Sequence, residues 1–448
     1  PSREAAVTAP TDLAVPAVRP GDPGYDDARA VFNAMIDRRP AAILRCRDAA
    51  DVAAGIRYAR THDLALSVRS GGHGVAGNAV CDGGVVLDLS RMRHVSVDPE
   101  QRLADAGPGL LLGDLDAATQ RHGLATPLGV MSGTGIAGLT LGGGLGWLNG
   151  AHGLACDNLV AAEVVTADGE VLRVGPDAHA DLLWGLRGGG GNLGVVTSFR
   201  YRLHPVARVL AGALTYSWSA AREVLHEHDR FMTTAPDELA SSVALGLDPD
   251  GRPVVRLIVC WCGDLERGRQ VLHPLRRFGR PLEDSIGPVD FVDWQRAPDA
   301  GYPRGRRHYW KSGYLRHLTD AAVDALLAVT PTIPTPETGI GLQALRGAAA
   351  RVPVDATAFP HRAQQYDLLV LSQWADPARS DEIVSWARGA FDVLRPHLED
   401  AVYVNNLGNE GPERVRAAFG PNQGRLAGLK RVYDPANVFR LNQNVPPS

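Results

Sequence analysis

Lysine is almost absent from this sequence: of 46 basic side chains, only Lys311 and Lys430 are lysines. We read the arginine excess as the codon bias of a GC-rich genome, without structural meaning. With a formal net charge of −4 there is no broad basic field, which argues against nucleic acid as a partner. Five cysteines (46, 81, 156, 260 and 262) are few and odd in number, against a disulfide framework. Cys260-x-Cys262 lies in "VVRLIVCWCGD", an apolar run that reads as a buried strand, so both are taken as small core residues rather than a metal or redox pair. No apolar run reaches the length of about eighteen residues that a membrane span needs. Nor does any N-terminal segment pair a basic start with an apolar core. The expectation is a cytoplasmic protein, monomer or homodimer, without membrane contact; a leader removed ahead of Pro1 is the alternative.

What the sequence does hold is length and glycine. At 448 residues, with 45% hydrophobic and 21% charged side chains, the chain describes a folded protein of more than one domain. Residues 41–70 read strand, helix, strand, with Asp48 or Asp51 placed to cap the helix. "GGVVLDLS" and "HVSVDPEQRLADAGPG" follow as two strands around a turn, and "LLLGDLDAATQRHGL" is an amphipathic helix. "LVAAEVVTADGEVLRVG" reads as a hairpin with Asp168-Gly169 at its turn. Beyond about residue 207 glycine thins and Trp and Tyr recur. The division expected is 1–206, 207–402, and a tail, 403–448, that returns to the first part.

Three glycine turns stand out: SGGHG at 70–74, SGTGIAG at 132–138 and LRGGGGN at 186–192. Glycine used this densely lets backbone approach a ligand or another backbone closely. Successive N–H groups of such turns neutralise a pyrophosphate without lysine, which suits this chain. No P-loop lysine motif is present.

"RSGGHG", "GIAGLTLGGGLGWL", "GLACDN", "LRGGGGNLGVVTSF" and the tail "YVNN…YDPANVFRLNQNVP" together resemble the FAD-linked oxidases of the berberine bridge enzyme type, within the vanillyl-alcohol oxidase superfamily. The resemblance runs from about residue 38 to the end. It implies an α+β fold: a PCMH-type FAD-binding domain of two subdomains, then a substrate domain with an antiparallel sheet covered by helices. It also implies that His73 is bonded to the flavin 8α-methyl, giving a stronger oxidant that cannot dissociate. Arg69, Ser70, Gly71, Gly72, Gly74, Asn78, Ser132, Gly133, Thr134, Gly135, Gly138, Gly142, Gly143, Trp147, Val196, Tyr403 and Asn405 are the further cofactor-binding candidates. Many relatives carry a second linkage, to a cysteine eleven residues before this glycine run; counting back from Gly142 reaches Met131, so a single linkage is expected. Cys156 is read as a small residue near the flavin.

The resemblance also locates the chemistry. A base takes a hydroxyl or phenol proton while hydride leaves carbon for the flavin, and O2 reoxidises it to give H2O2. The family's usual base is the last tyrosine of a Tyr-x-Asn-Tyr strand. Here Tyr403-Val404-Asn405-Asn406 places an amide there, and an amide is not a general base. Plant members also place a carboxylate seven residues before a tryptophan, which corresponds to Asp367 before Trp374. Its apolar surroundings would raise its pKa toward neutrality; the competing reading ties it to an arginine at the sheet edge. Tyr366 and Tyr403 are the alternative bases, and Gln343, Asn406, His308 and Trp147 are pocket candidates. "HEHD" (226–229) does not fit a zinc pattern and is read as a solvated helix surface. No metal is expected. The function expected is a covalent FAD-dependent oxidase of an alcohol, phenol or reduced ring in a secondary metabolite or sugar. A dehydrogenase of the same fold, or a flavin-bearing protein that sequesters a toxic metabolite, are the alternatives.

Overall fold

A computed structural model describes residues 14–448. The first part of the chain builds two sheets. Strands β1 (Ala17–Val18), β2 (Ala42–Arg45), β3 (Leu66–Arg69) and β4 (Val85–Asp88) lie in the order β1-β2-β4-β3, with β2, β4 and β3 parallel. All four residues of β4 are buried, as expected where both faces of a parallel sheet are covered. Helix α1 (Ala49–Thr61) links β2 to β3, and its cap is Asp48, which accepts the Asp51 N–H. Such a cap contributes about 1 kcal/mol. Asp51 instead pairs with Arg47 at 2.7 Å.

The second sheet is antiparallel and comprises β5 (Val95–Asp98), β6 (Leu103–Ala106), β7 (Leu159–Val165), β8 (Val171–Val174) and β9 (Val195–Arg202), in the order β5-β6-β9-β7-β8. "HVSVDPEQRLADA" is therefore a hairpin by itself, not one strand of a pair with β4. Its turn is made locally: Asp98 accepts the N–H groups of Glu100 and Gln101, and Arg102 takes a left-handed φ of 54°. Helix α2 (Leu112–Gln120) packs beside this sheet.

The second part is dominated by one antiparallel sheet. Its main strands are β10 (Arg208–Ser217), β11 (Leu239–Leu247), β12 (Pro253–Trp261), β13 (Arg307–Leu315), β14 (Gly339–Leu345) and β15 (Gln365–Trp374), in the order β10-β12-β11-β14-β15-β13. Alternation along each strand divides its side chains between two faces. Leu214, Val243, Leu257, Leu342, Leu368 and Val370 face helices α3 (Ala221–Thr234), α4 (Leu265–Arg277), α5 (Asp320–Val329) and α6 (Ser380–Leu394) in one core. The HEHD segment lies on α3 and is not a solvated surface throughout. His228 is fully buried and bonded to Ser241 Oγ at 2.9 Å, and Asp229 accepts the Tyr366 hydroxyl.

The tail packs against the first part: Val404, Phe419, Leu426 and Val445 share a core with Leu159, Leu183 and Phe199. Both lysines hold it. Lys311 on β13 pairs with Glu410 at 2.6 Å, and the fully buried Lys430 pairs with Asp434 at 3.0 Å. Lys430 also donates to the Phe439 carbonyl, while Asp434 accepts the Val438 and Phe439 N–H groups. Removing one partner of such a buried pair costs about 3–5 kcal/mol.

Candidate active site

A cavity of about 660 Å³ lies between the first part, the tail and the face of the large sheet opposite helices α3 to α6. On the first part it is lined by all three glycine turns: Ser70 to Gly74, Thr134 to Gly135 with Gly138, and Gly190 to Gly191. The first two turns touch backbone to backbone. A Cβ on Gly71 would stand 2.5 Å from Gly135 N, so no side chain fits there. Gly74 and Gly138 line the cavity with open space where a Cβ would be. Asn78, Trp147 and Val196 also reach the wall, as do Tyr403, Asn405 and Asn406 of the tail.

His73 sits in this wall with its ring stacked on Phe32, 3.9 Å between centroids. Burial lowers its pKa to about 4. The ring is therefore neutral at physiological pH and keeps a nitrogen lone pair. Met131 lines the same cavity. Cys156 does not; it is fully buried among Leu145, Leu154 and Tyr314, and burial pushes its thiol far up.

On the sheet side, Gln343 and Asp367 project into the cavity from β14 and β15, opposite each other in register. Asp367 is 4% exposed. Ser312 Oγ donates to its Oδ1 at 3.0 Å, and Asn406 Nδ2 donates to its Oδ2 at 2.7 Å. Burial pushes its pKa up to about 7, against the two hydrogen bonds that favour the charged form. β15 is an interior strand, and among the described residues the bonds to this carboxylate come from Ser312 and Asn406, so the edge arginine pair does not occur there.

Tyr403 lines the cavity, but its hydroxyl oxygen takes the Gly144 N–H at 2.8 Å, the Leu145 N–H at 3.3 Å and Asn405 Nδ2 at 2.8 Å. Burial raises its phenol pKa well beyond the ordinary range. Asn405 also donates to the Leu139 carbonyl. These contacts explain Gly142 and Gly143, which are not on the cavity wall. A Cβ on Gly142 would meet Asn405 Oδ1 at 2.0 Å, and one on Gly143 would crowd Phe359 and Tyr403.

Five other candidates lie away from the cavity wall. Tyr366, one residue from Asp367, points to the opposite face of the sheet and donates to Asp229 at 2.9 Å. His308 is buried behind Phe32, their rings stacked at 4.2 Å. Arg69 donates to the Ala28 carbonyl. Ser132 donates from both N and Oγ to Asp299, and Gly133 is exposed. Sequence reasoning missed Ser312, whose only signal is its place on a strand beside β15, and Arg256, which lines the cavity from β12.

The fold and the glycine-lined cavity define a two-part flavin-binding protein. Residues 40–175 match the FAD binding domain family and residues 402–446 the berberine and berberine-like family. (R)-6-hydroxynicotine oxidase of Paenarthrobacter nicotinovorans is 32% identical, covering 96% of both chains. An uncharacterized FAD-linked oxidoreductase of Bacillus subtilis is 31% identical, over 95% of each. The crystal structure of 6-hydroxy-D-nicotine oxidase from Arthrobacter nicotinovorans superposes with a TM-score of 0.92 at 30% identity, covering 99% of this chain and 100% of that one. The chain belongs to the FAD-linked oxidoreductases of the berberine-like family.

Proposed function

We propose that the protein is a covalent flavoprotein oxidase, with FAD held through its 8α carbon by His73 alone. In this reading it takes hydride from an alcohol, phenol or reduced ring of a secondary metabolite or sugar, and O2 is the final acceptor. The observation that carries it is one continuous cavity lined at one side by His73 and the glycine turns and at the other by Asp367. The residues fit the cofactor: open glycine N–H groups suit a pyrophosphate, and a neutral imidazole can form a carbon–nitrogen bond. Bound there, FAD supplies the hydride-accepting ring.

The chain's own part is proton management. Asp367 is a carboxylate whose pKa of about 7 lets it accept a hydroxyl proton near neutrality. Asn406 and Ser312 fix one oxygen each, which orients the carboxylate and holds down a pKa that burial alone would raise further. The amide at the family's tyrosine position thus positions the base instead of being one. Tyr403, committed to the Gly144 and Leu145 N–H groups, holds the glycine turn. The oxidase names of the relatives support the use of oxygen.

The test is acid precipitation followed by tryptic mapping. Flavin should stay with the protein, on the peptide 70–91, and turnover should release peroxide with oxygen consumption. Flavin freed by acid, or found on Cys156, contradicts the single histidine linkage.

A further inference from the structure

Apart from the phenols of Tyr302 and Tyr403, four ionisable side chains line the cavity: His73, Asp367, Arg256 and Glu337. The proposed chemistry uses the first two, and Glu337 is exposed at the rim. Arg256 is half-buried and forms no ion pair among the described residues, with Glu337 or any other carboxylate. Its one hydrogen bond there is a 3.5 Å contact to the Leu247 carbonyl. Its guanidinium lies over Gly246: a Cβ on that glycine would stand 3.9 Å from Arg256 Nη1 and equally far from the Thr338 carbonyl. The cation is thus laid on the cavity face of the sheet, over a residue that has no side chain.

Between Arg256 and Asp367 the sheet presents small residues. Ser242 and Ala244 on β11, and Gly339 and Gly341 on β14, all line the cavity. Nothing lies within 4 Å of where a Gly341 Cβ would be. Ile258 on one side and Leu369 and Leu371 on the other raise apolar walls along this low floor. Register fixes the length of the slot. Ser242 faces Gln343 and Gln343 faces Asp367, so Gly246 lies two strands over and four residues along from the carboxylate. Ordinary sheet spacing puts the guanidinium and the carboxylate on the order of 15 Å apart.

We infer that the substrate is an elongated, flat, largely apolar molecule with an oxyanion, such as a carboxylate, at the end remote from the reacting carbon. Arg256 binds the oxyanion, and the small-residue floor accommodates the rings. The inference rests on the reading of Asp367 as the reacting end of the same cavity. A guanidinium without a protein carboxylate is the group best suited to hold an anion bidentately. The apolar walls between the two ends disfavour a substrate that carries hydroxyls along its whole length.

The test is equilibrium dialysis of the holoenzyme with two probes of one shape, anthracene-2-carboxylate and anthracene-2-carboxamide. The wild type should bind the acid at least about tenfold more tightly. Arg256→Gln should bind both about equally, losing affinity for the acid only. Gly341→Leu, which fills open space and strains no backbone, should weaken both probes about tenfold and preserve their ratio. Equal binding of acid and amide by the wild type, a ratio unchanged in Arg256→Gln, or no binding of either probe would each overturn the inference. Acid-stable flavin is measured on the same samples. Its absence contradicts the cofactor reading and leaves the anion preference legible, because dialysis needs no turnover.

Discussion

Asp116 and Asp367 are two buried carboxylates that burial pushes up to about 7 against the hydrogen bonds they accept, and they teach different things. Asp116, on α2, accepts Gln295 Nε2 at 3.1 Å through one oxygen, while its other oxygen has no partner among the described residues. It does not border the cavity. Asp367 does, and each of its oxygens is held by a named donor. A raised pKa therefore marks burial in both places and a candidate base in only one. Access to the cavity and fixed orientation separate the two.

The largest effect should come from removing the oriented carboxylate. In Asp367→Asn, bound flavin should remain, and anaerobic flavin reduction at pH 8 should fall by about 10²–10⁴-fold. Asp116→Asn should reduce its flavin at the wild-type rate in the same stopped-flow measurement. A comparable loss in both variants would erase the distinction.

Next in size is the effect of the donor. Asn406 favours the charged form of Asp367, so Asn406→Ala should raise that pKa further. The acid limb of flavin reduction should move up by about one pH unit, lowering the rate at pH 7 roughly fivefold. The rate at high pH should recover. A rate reduced equally at all pH values would give Asn406 a role other than holding the carboxylate.

Asp116 has its own signature in stability. Its folded pKa of about 7 lies above the unfolded value near 3.8, so the folded state holds the proton longer. Stability is therefore unaffected at low pH and falls as pH rises from about 4 through 7, by a few kcal/mol at most. Asp116→Asn lacks this penalty, and its melting temperature relative to wild type should rise between pH 5 and pH 8. A constant difference would mean that Asp116 is ionised throughout.

The smallest effect is expected one residue from the base. Tyr366→Phe loses a hydrogen bond to Asp229 on the helix side of the sheet. It should cost about 1 kcal/mol in denaturant unfolding and leave flavin reduction within about twofold. A large rate loss would mean that the two faces of β15 communicate.

Much of this arrangement was legible in the residues. The glycine turns, His73 and the returning tail are local motifs, and Asp48 caps the helix it precedes. Asp367 could be singled out because an acidic residue inside an apolar strand is conspicuous. Which side chains reach the cavity was harder to read: Tyr366 points to the helix side of β15, and His308, on the cavity side of β13, is covered by Phe32. Ser312 and Arg256 come from strands distant in sequence, and only the sheet register brings them to the cavity. The paired roles of Gly142 and Asn405, 263 residues apart in number, are likewise a fact of packing.

The most direct test of Asp367 as the base is the pH dependence of wild-type anaerobic flavin reduction. A saturating substrate that does not itself titrate between pH 5 and 9 is required. The rate should rise with pH along a single limb centred near 7, and that limb should be absent from the residual rate of Asp367→Asn. A wild-type profile flat through this range, or a limb that survives in Asp367→Asn, would contradict the assignment.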